Sequence, residues 1–441
     1  MKKLFCVVLA VLLLAGCAKP QTQAPAQEET PQETVFTPDY LVLPGDEPQA
    51  PQARLQWRRN VVEQQMRHMM SVRWTPAETF TYSAVPSSAG VQADLKADPS
   101  QVITLYAGRI YQGIPYTHGA GGAVSFLSYA TDQDEKGVYT LTGLHEDLLT
   151  GISRSAEHRS ARIGNDCADA VAWAWSMVSS SITFNDTVQM TEAFGIVKVG
   201  DYVCDEPIYN YSTTVICGNN GKQRMFEAYA QMQKADAMVR ATDAGSGHAI
   251  MIVDVHVQRG ENGEIDPDNS YATILEQDIA CEQEQKCYYD EEIGQIVYLC
   301  EELDKTRTFK YLFAAGYLPV TCKELADPAD LPAPEVKDSV KSPGTDNMFL
   351  GSIEATYRIS HVTVTVYSGD KQLQQSTCFA VEQPDKYSFD LTRFLLPTEQ
   401  AVLKGKVDLK ALEPGNYRCT YTCRLSTGHE ILFRDFTFTV E

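Results

Sequence analysis

The chain has 441 residues, of which 44% are hydrophobic and 22% charged, so it is long enough for two or three globular domains. Its 37 Lys and Arg residues against 58 Asp and Glu residues give a net charge of −21. Nucleic-acid binding needs a cationic surface and the sequence contains no basic stripe, so DNA and RNA are excluded as expected partners.

The N-terminus predicts export. Two lysines precede an apolar run at residues 4–16, which is shorter than the roughly 20 residues that cross a bilayer and fits a secretory signal. The run ends at residues 14–17 (LAGC), which resembles the bacterial lipobox. The resemblance implies a signal peptide over residues 1–16, a lipid on Cys17 and an extracytoplasmic lipoprotein held at the membrane, at the cell surface or in the periplasm. An ordinary signal peptide with a chance cysteine is the alternative.

A tether and a helix are predicted next. Residues 17–54 are rich in Pro, Gln, Glu and Ala, cannot bury a core, and are expected to be disordered. Apolar residues recur at spacings of three and four over residues 55–74, which predicts a helix that ends at residues 74–76 (WTP). We assign residues 55–325, which mix short helices and strands, to one α+β domain.

The segment at residues 164–167 (GNDC) is the first candidate for chemistry. Asn165 or Asp166 can cap a helix that starts at Cys167 and is apolar almost all round. A thiol at a helix N-terminus meets the positive end of the helix dipole, which favours the thiolate. Asp166 and Asp169 oppose that effect, so a cationic partner is expected. The sequence therefore predicts a nucleophile at Cys167, with a buried structural cysteine as the alternative.

A histidine and a hairpin follow. His248 opens an apolar segment that predicts a core strand, where an imidazole beside a helix-start thiol can act as its base. Residues 259–270 are rich in turn formers, so the next strand, residues 271–278, should return beside His248. Its end carries the residue that would orient the imidazole: Glu276 is preferred, and Gln277, on the opposite face, is second.

The remaining sequence predicts a different architecture. Residues 326–346 are Pro-rich and read as a linker. Residues 347–441 alternate apolar and polar side chains between turn residues, which predicts an all-β sandwich. Residues 412–419 (LEPGNYRC) resemble the tyrosine corner of immunoglobulin-like domains. This domain is expected to be a spacer or to bind the wall or a protein partner.

Five segments, in this order, resemble the NlpC-type branch of the papain-like cell-wall cysteine peptidases. They are residues 113–116 (GIPY), 166–167 (DC), 200–201 (GD), 247–248 (GH) and 276–277 (EQ). The chain departs from the family at Ala168 and Asp169, where Ser-Gly is usual. The long separation of the DC and GH segments indicates an insertion at about 182–240. The glutamate of the last segment is similar to the third catalytic residue of the related CHAP amidases, which is a glutamate.

The resemblance implies a papain-like α+β fold with Cys167 as nucleophile, His248 as base and Glu276 or Gln277 as the orienting group. It also implies that Tyr116 lines the substrate cleft. Asp166 would shape the turn before the nucleophile or accept a hydrogen bond from substrate. His118, in the Gly-rich loop after Tyr116, is a further candidate for substrate contact, against a plain loop histidine.

The expected activity is hydrolysis of amide bonds in peptidoglycan stem peptides. A D-γ-glutamyl-diamino-acid bond is the first expectation and an N-acetylmuramoyl-alanine amide bond the second. Neither a metal nor an organic cofactor is expected, because no zinc-binding motif and no complete calcium loop occurs in the sequence. The alternative is a catalytically degenerate surface binding lipoprotein that acts through its immunoglobulin-like domain.

Twelve cysteines are present, and export permits disulfides. Neighbours in the sequence suggest local pairs, although the sequence cannot fix connectivity. The suggested pairs are Cys204 with Cys217, Cys281 with Cys287, Cys300 with Cys322, and Cys378 with Cys419 or Cys423.

Overall fold

The computed structural model describes residues 47–83, 102–117, 122–144, 164–182, 194–204, 212–241, 247–340, 348–380, 387–395 and 401–441. The predicted signal peptide, Cys17, most of the tether and His118 lie outside these ranges. Within the ranges, none of the helices combines the length and the hydropathy needed to span a bilayer.

The first helix, α1 (Pro51–Ser71), confirms the prediction from apolar spacing and begins at a proline, whose fixed φ suits the first turn. Its apolar face is buried through Val61, Val62, Met66, Met69 and Met70. The chain then enters strand β1 (Arg73–Pro76). The expectation that Pro76 ends the helix is wrong, because the helix has already ended at Ser71 and Pro76 closes the strand.

The other elements of the N-terminal region form a mixed α+β architecture. In chain order they are β2 (Phe80–Ser83), β3 (Val102–Leu105), β4 (Ile110–Gln112), α2 (Ala123–Leu127), β5 (Ala130–Gln133), β6 (Tyr139–Leu141), α3 (Cys167–Trp175), β7 (Ile196–Lys198), α4 (Thr213–Asn220), α5 (Lys222–Tyr229), β8 (Ala237–Ala241), β9 (Gly247–His256), β10 (Tyr271–Leu275), α6 (Ala280–Glu284), β11 (Cys287–Asp290), β12 (Gln295–Leu299), β13 (Lys305–Thr308), α7 (Phe309–Ala315), β14 (Leu318–Cys322) and α8 (Lys323–Ala326).

Two six-stranded sheets organise this region. One has the order β11-β12-β4-β1-β6-β5 and mixes parallel with antiparallel pairs. The other has the order β13-β10-β9-β8-β14-β7 and is antiparallel throughout. Strands β2 and β3 pair separately. The second sheet carries the candidate site, and we call it the site sheet.

Strand β9 lies in the interior of the site sheet between β8 and β10. Residues 249–252 are fully buried, because α3 packs against β9 and α1 packs against α3. The antiparallel pairing of β9 with β10 confirms the predicted hairpin return. Strand β10 ends at Leu275, immediately before Glu276.

Part of the expected insertion at about 182–240 is built into the site sheet. Strand β7 pairs with β14, and β8 pairs with both β14 and β9. Between them, α4 and α5 pack against each other. The segment thus supplies the strand that lies directly beside His248.

The C-terminal elements are β15 (Val336–Asp338), β16 (Ser352–Ala355), β17 (Ile359–Ser368), β18 (Lys371–Ala380), β19 (Ser388–Asp390), β20 (Ala401–Lys406), β21 (Gly415–Leu425) and β22 (Glu430–Val440). They form two antiparallel sheets, β15-β16-β19 and β20-β18-β17-β21-β22, which share one apolar core. Strands β16 to β22 lie in residues 347–441, where alternating apolar and polar residues predict β structure. Strand β15 falls inside the expected linker, so that segment contributes to the C-terminal fold.

Tyr417 shows the contact expected of a tyrosine corner. Its hydroxyl donates a hydrogen bond to the backbone carbonyl of Glu413 at 2.7 Å. This bond ties the start of β21 to the turn before it.

The suggested disulfides do not form. Cys217, Cys287, Cys322, Cys378, Cys419 and Cys423 are free thiols. Cys378 and Cys423 both lie opposite Val362, one on each side of β17, so they are separated by two strand spacings, about 9–10 Å. That separation exceeds the roughly 7 Å between Cα atoms that a disulfide can bridge.

Candidate active site

Helix α3 places Cys167 at its first residue. Asp166 is the N-cap, and its carboxylate accepts hydrogen bonds from the backbone N–H groups of Ala168 and Asp169 at 3.0 and 2.9 Å. The predicted cap is confirmed, with Asp166 rather than Asn165 in that role. Because the cap uses the second and third N–H groups of the helix, the N–H of Cys167 lies outside it.

The Cys167 thiol lies against the start of β9. Burial raises its pKa, since only 6% of the residue is exposed, and the Asp166 carboxylate raises the pKa further. Hydrogen bonds from the backbone N–H groups of Ala249 and Ala168 lower it. The sulfur therefore accepts a hydrogen bond from the backbone of the residue that directly follows His248. The net shift of the Cys167 pKa is upward, which favours the protonated thiol.

The His248 ring is fixed by Glu276. Its Nε2 lies 3.2 Å from Oε2 of Glu276, and only 12% of the histidine side chain is exposed. An ionised carboxylate is an acceptor only, so Nε2 carries the proton that is donated to it. The other ring nitrogen, Nδ1, is then the basic one.

Two cations from β13 neutralise Glu276. Lys305 Nζ and Arg307 Nη2 each lie 2.9 Å from its Oε1. Burial alone would raise the pKa of Glu276, but hydrogen bonds from His248 and Lys305 outweigh burial and lower the pKa to about 2. Sequence analysis missed both cations. The signal was present in residues 305–308 (KTRT), whose alternation puts two cations on one face of a strand.

A β-bulge decides which residue orients the imidazole. The register of β9 with β10 shifts at Thr273/Ile274, so that Val253 is an extra residue on β9. The shift puts Glu276 on the face of His248; an unbroken ladder would put Gln277 there. Gln277 instead donates from Nε2 to the carbonyl of Ile114 at 2.7 Å and is fully buried.

Gln277 thereby holds the segment at residues 113–116 that carries Tyr116. A parallel bridge also joins Tyr116 to Asn165, next to the helix start. Burial raises the pKa of the Tyr116 hydroxyl, and the nearby Cys167 and Asp166 raise it further. The Tyr116 hydroxyl is therefore within electrostatic range of Cys167, whereas His118 lies outside the described residues.

His248, Glu276 and Asp278 each offer a possible metal ligand, and the three ligand atoms lie within 4.8 Å of one another. Imidazole and carboxylate donors suit divalent cations. Oε1 of Glu276 already receives Lys305 and Arg307, whose positive charges would repel a metal ion. The arrangement fits an orienting carboxylate better than a metal ligand.

Helix α3 also contacts the C-terminal region. The guanidinium of Arg358, a residue only 3% exposed, lies 4.1 Å from the centre of the Trp173 ring. Burial lowers the pKa of Arg358 to about 10, and the Asp169 carboxylate opposes that shift. Ser426 adds a hydrogen bond to the carbonyl of Ser176 at 2.8 Å. Asp169, which departs from the family motif, thus faces a buried cation from a distant part of the chain.

No protein-family model and no curated protein sequence matches this chain.

Proposed function

We propose that this protein is a cysteine hydrolase that cleaves amide bonds in peptidoglycan stem peptides, outside the cytoplasmic membrane and anchored by a lipid on Cys17. One observation carries the proposal: His248 is held through Nε2 by an ionised Glu276, while the Cys167 thiol meets the same strand at Ala249. The motif order supports the substrate class and a papain-like fold for residues 55–325, with an immunoglobulin-like fold for residues 347–441.

The reaction is acyl transfer. Nδ1 of His248 accepts the Cys167 proton as the sulfur attacks the amide carbon, and the developing imidazolium is stabilised by Glu276. The N–H of Cys167, outside the Asp166 cap, donates to the oxyanion. The amine leaves with the proton from His248, and a thioester forms. Water, activated by His248, then releases the acid and restores the thiol.

The buried thiol makes His248 necessary from the first step. Because burial and Asp166 raise the pKa of Cys167, few molecules carry a thiolate at neutral pH. Proton transfer therefore accompanies attack instead of preceding it. Tyr116, held beside the thiol, forms one wall of the substrate cleft in this proposal.

The test is a digest of purified peptidoglycan by the full chain in detergent, with products identified by mass spectrometry. We expect new stem-peptide fragments that Cys167→Ala abolishes. Cys287→Ala is the matched control, because Cys287 is an exposed free thiol on β11. Equal fragment yields from Cys167→Ala and the unmodified chain would overturn the assignment of the nucleophile. The identity of the fragments decides between the glutamyl-diamino-acid bond and the muramoyl-alanine bond.

A second candidate is the degenerate binding lipoprotein, favoured by the near-complete burial of Cys167 and the raised pKa of its thiol. It predicts no fragments from any variant, and no reaction of Cys167 with iodoacetamide. It also predicts that the chain still sediments with peptidoglycan or another wall component.

A further inference from the structure

Arg240 lies beside His248 and forms no ion pair with an acid among the described residues. It is the cross-strand partner of His248 on β8, so the two side chains share one face of the site sheet with Cβ atoms about 5 Å apart. Arg240 is half-buried. Across the ranges that the structure describes, no carboxylate forms an ion pair with its guanidinium, which lies 5.5 Å from the centre of the Tyr317 ring.

Tyr317 connects Arg240 to the reacting groups. Burial raises the pKa of the Tyr317 hydroxyl, Arg240 lowers it, and Glu276 and Cys167 raise it again. Arg240, Glu276 and Cys167 therefore all influence one phenol that is only 2% exposed. The cross-strand pairing with His248 also puts the guanidinium on the side of the site sheet that carries the imidazole.

The two cations on β13 are already paired with acids. Lys305 contacts Glu276 and Glu302, and Arg307 contacts Glu276. Arg240 is half-buried without an ion pair in the part of the chain that the structure describes, and desolvation of a charge is costly until an opposite charge meets it. A planar guanidinium also matches a carboxylate with two parallel hydrogen bonds.

We infer that Arg240 binds a carboxylate that the substrate carries next to the scissile amide, which makes the substrate an anionic peptide. The inference rests on the proposed function and narrows its substrate class. Arg240 determines specificity through substrate binding, and the bond chemistry stays with Cys167 and His248.

The first test compares two peptides, Ala-γ-D-Glu-diaminopimelate and the same peptide with the glutamyl α-carboxylate amidated. The wild type should prefer the free acid. Arg240→Met should raise KM for the free acid about 10- to 100-fold, the value of a lost charge-assisted hydrogen bond, and change cleavage of the amidated peptide little. Arg240→Lys should give a KM for the free acid between those of the wild type and Arg240→Met. Arg224→Met, which removes an exposed arginine on α5, should change the cleavage of neither peptide.

A second measurement needs no peptide. Iodoacetate and iodoacetamide both alkylate a thiolate, forming an S–C bond and releasing iodide, but only iodoacetate carries a carboxylate. The ratio of their rates at Cys167, read by mass spectrometry of its peptide, should fall several-fold in Arg240→Met. An unchanged ratio of alkylation rates in Arg240→Met, or an equal loss of cleavage of the two peptides, overturns the inference. Neither result contradicts the proposed hydrolase. Absence of all cleavage with a lowered ratio rejects the proposed hydrolase and keeps the anion site.

Discussion

Two glutamates near the end of β10 share a degree of burial and differ in charge. Glu276 is 3% exposed and Glu301 is 1% exposed. Burial would raise the pKa of both, but hydrogen bonds from His248 and Lys305 lower that of Glu276 to about 2. Burial raises the pKa of Glu301 well above its usual value, and another acid, Glu282, raises it further.

Burial therefore does not set the protonation state here; the neighbouring strand does. Strand β13 brings Lys305 and Arg307 to one carboxylate, which stays ionised and can hold a histidine. Among the described residues, no cation forms an ion pair with Glu282 or Glu301, and burial favours the neutral acid in both. Glu282 accepts a hydrogen bond from the N–H of Tyr116 at 3.2 Å. One carboxylate thus holds the His248 ring, and a neutral acid holds the backbone of Tyr116.

Substitution of Glu276 should have the largest effect. Glu276→Gln keeps the shape but removes the charge that stabilises the His248 imidazolium, so kcat should fall about 1,000-fold, equivalent to about 4 kcal/mol. Glu276→Asp, which keeps the charge on a shorter side chain, should recover part of the rate. A role limited to folding would lower the amount of folded protein but would leave the pH profile of kcat unchanged.

That profile is the decisive readout. In Glu276→Gln, the acidic limb of kcat should move, because the ring no longer has an anionic partner on Nε2. Circular dichroism establishes that the variant is folded before its rate is compared. Activity within fivefold of wild type, with an unmoved acidic limb, would exclude Glu276 as the positioning residue.

The parts of this comparison that could be predicted from sequence are local. Helix α1, the cap at Asp166 and the β9–β10 hairpin each follow from patterns within a few residues. The choice of Glu276 over Gln277 depends on the bulge at Thr273/Ile274, which reverses the parity of the strand and leaves no distinct trace in composition. Lys305 and Arg307 depend on which strand becomes the neighbour of β10, a long-range choice that periodicity does not fix.

A third buried titratable group, Arg358, extends the comparison to a cation. Arg358→Met should lower the free energy of unfolding by about 3 kcal/mol, because it leaves the Asp169 carboxylate buried without that cation. The urea midpoint should fall at constant m-value. Adding Asp169→Asn should recover part of the loss, since the pair is then removed together. A change below about 0.5 kcal/mol would show that this contact does not stabilise α3.

The neutral pair gives the smallest effect, and a pH dependence of opposite sign to that of Glu276. Burial raises the pKa of Glu282 to about 8, from an ordinary value of 4.5. Between these values the folded state keeps a proton that the unfolded state loses, so the free energy of unfolding falls as pH rises. The fall should be about 2 kcal/mol from pH 6 to pH 8. Glu282→Gln cannot ionise and should flatten this part of the stability curve, measured by urea unfolding at each pH.

Glu276, with its lowered pKa, instead contributes stability that is present above pH 4.5 and lost as pH falls toward about 2. A variant curve parallel to wild type between pH 6 and pH 8 would mean that Glu282 is ionised in the folded protein, and the contrast with Glu276 would then disappear.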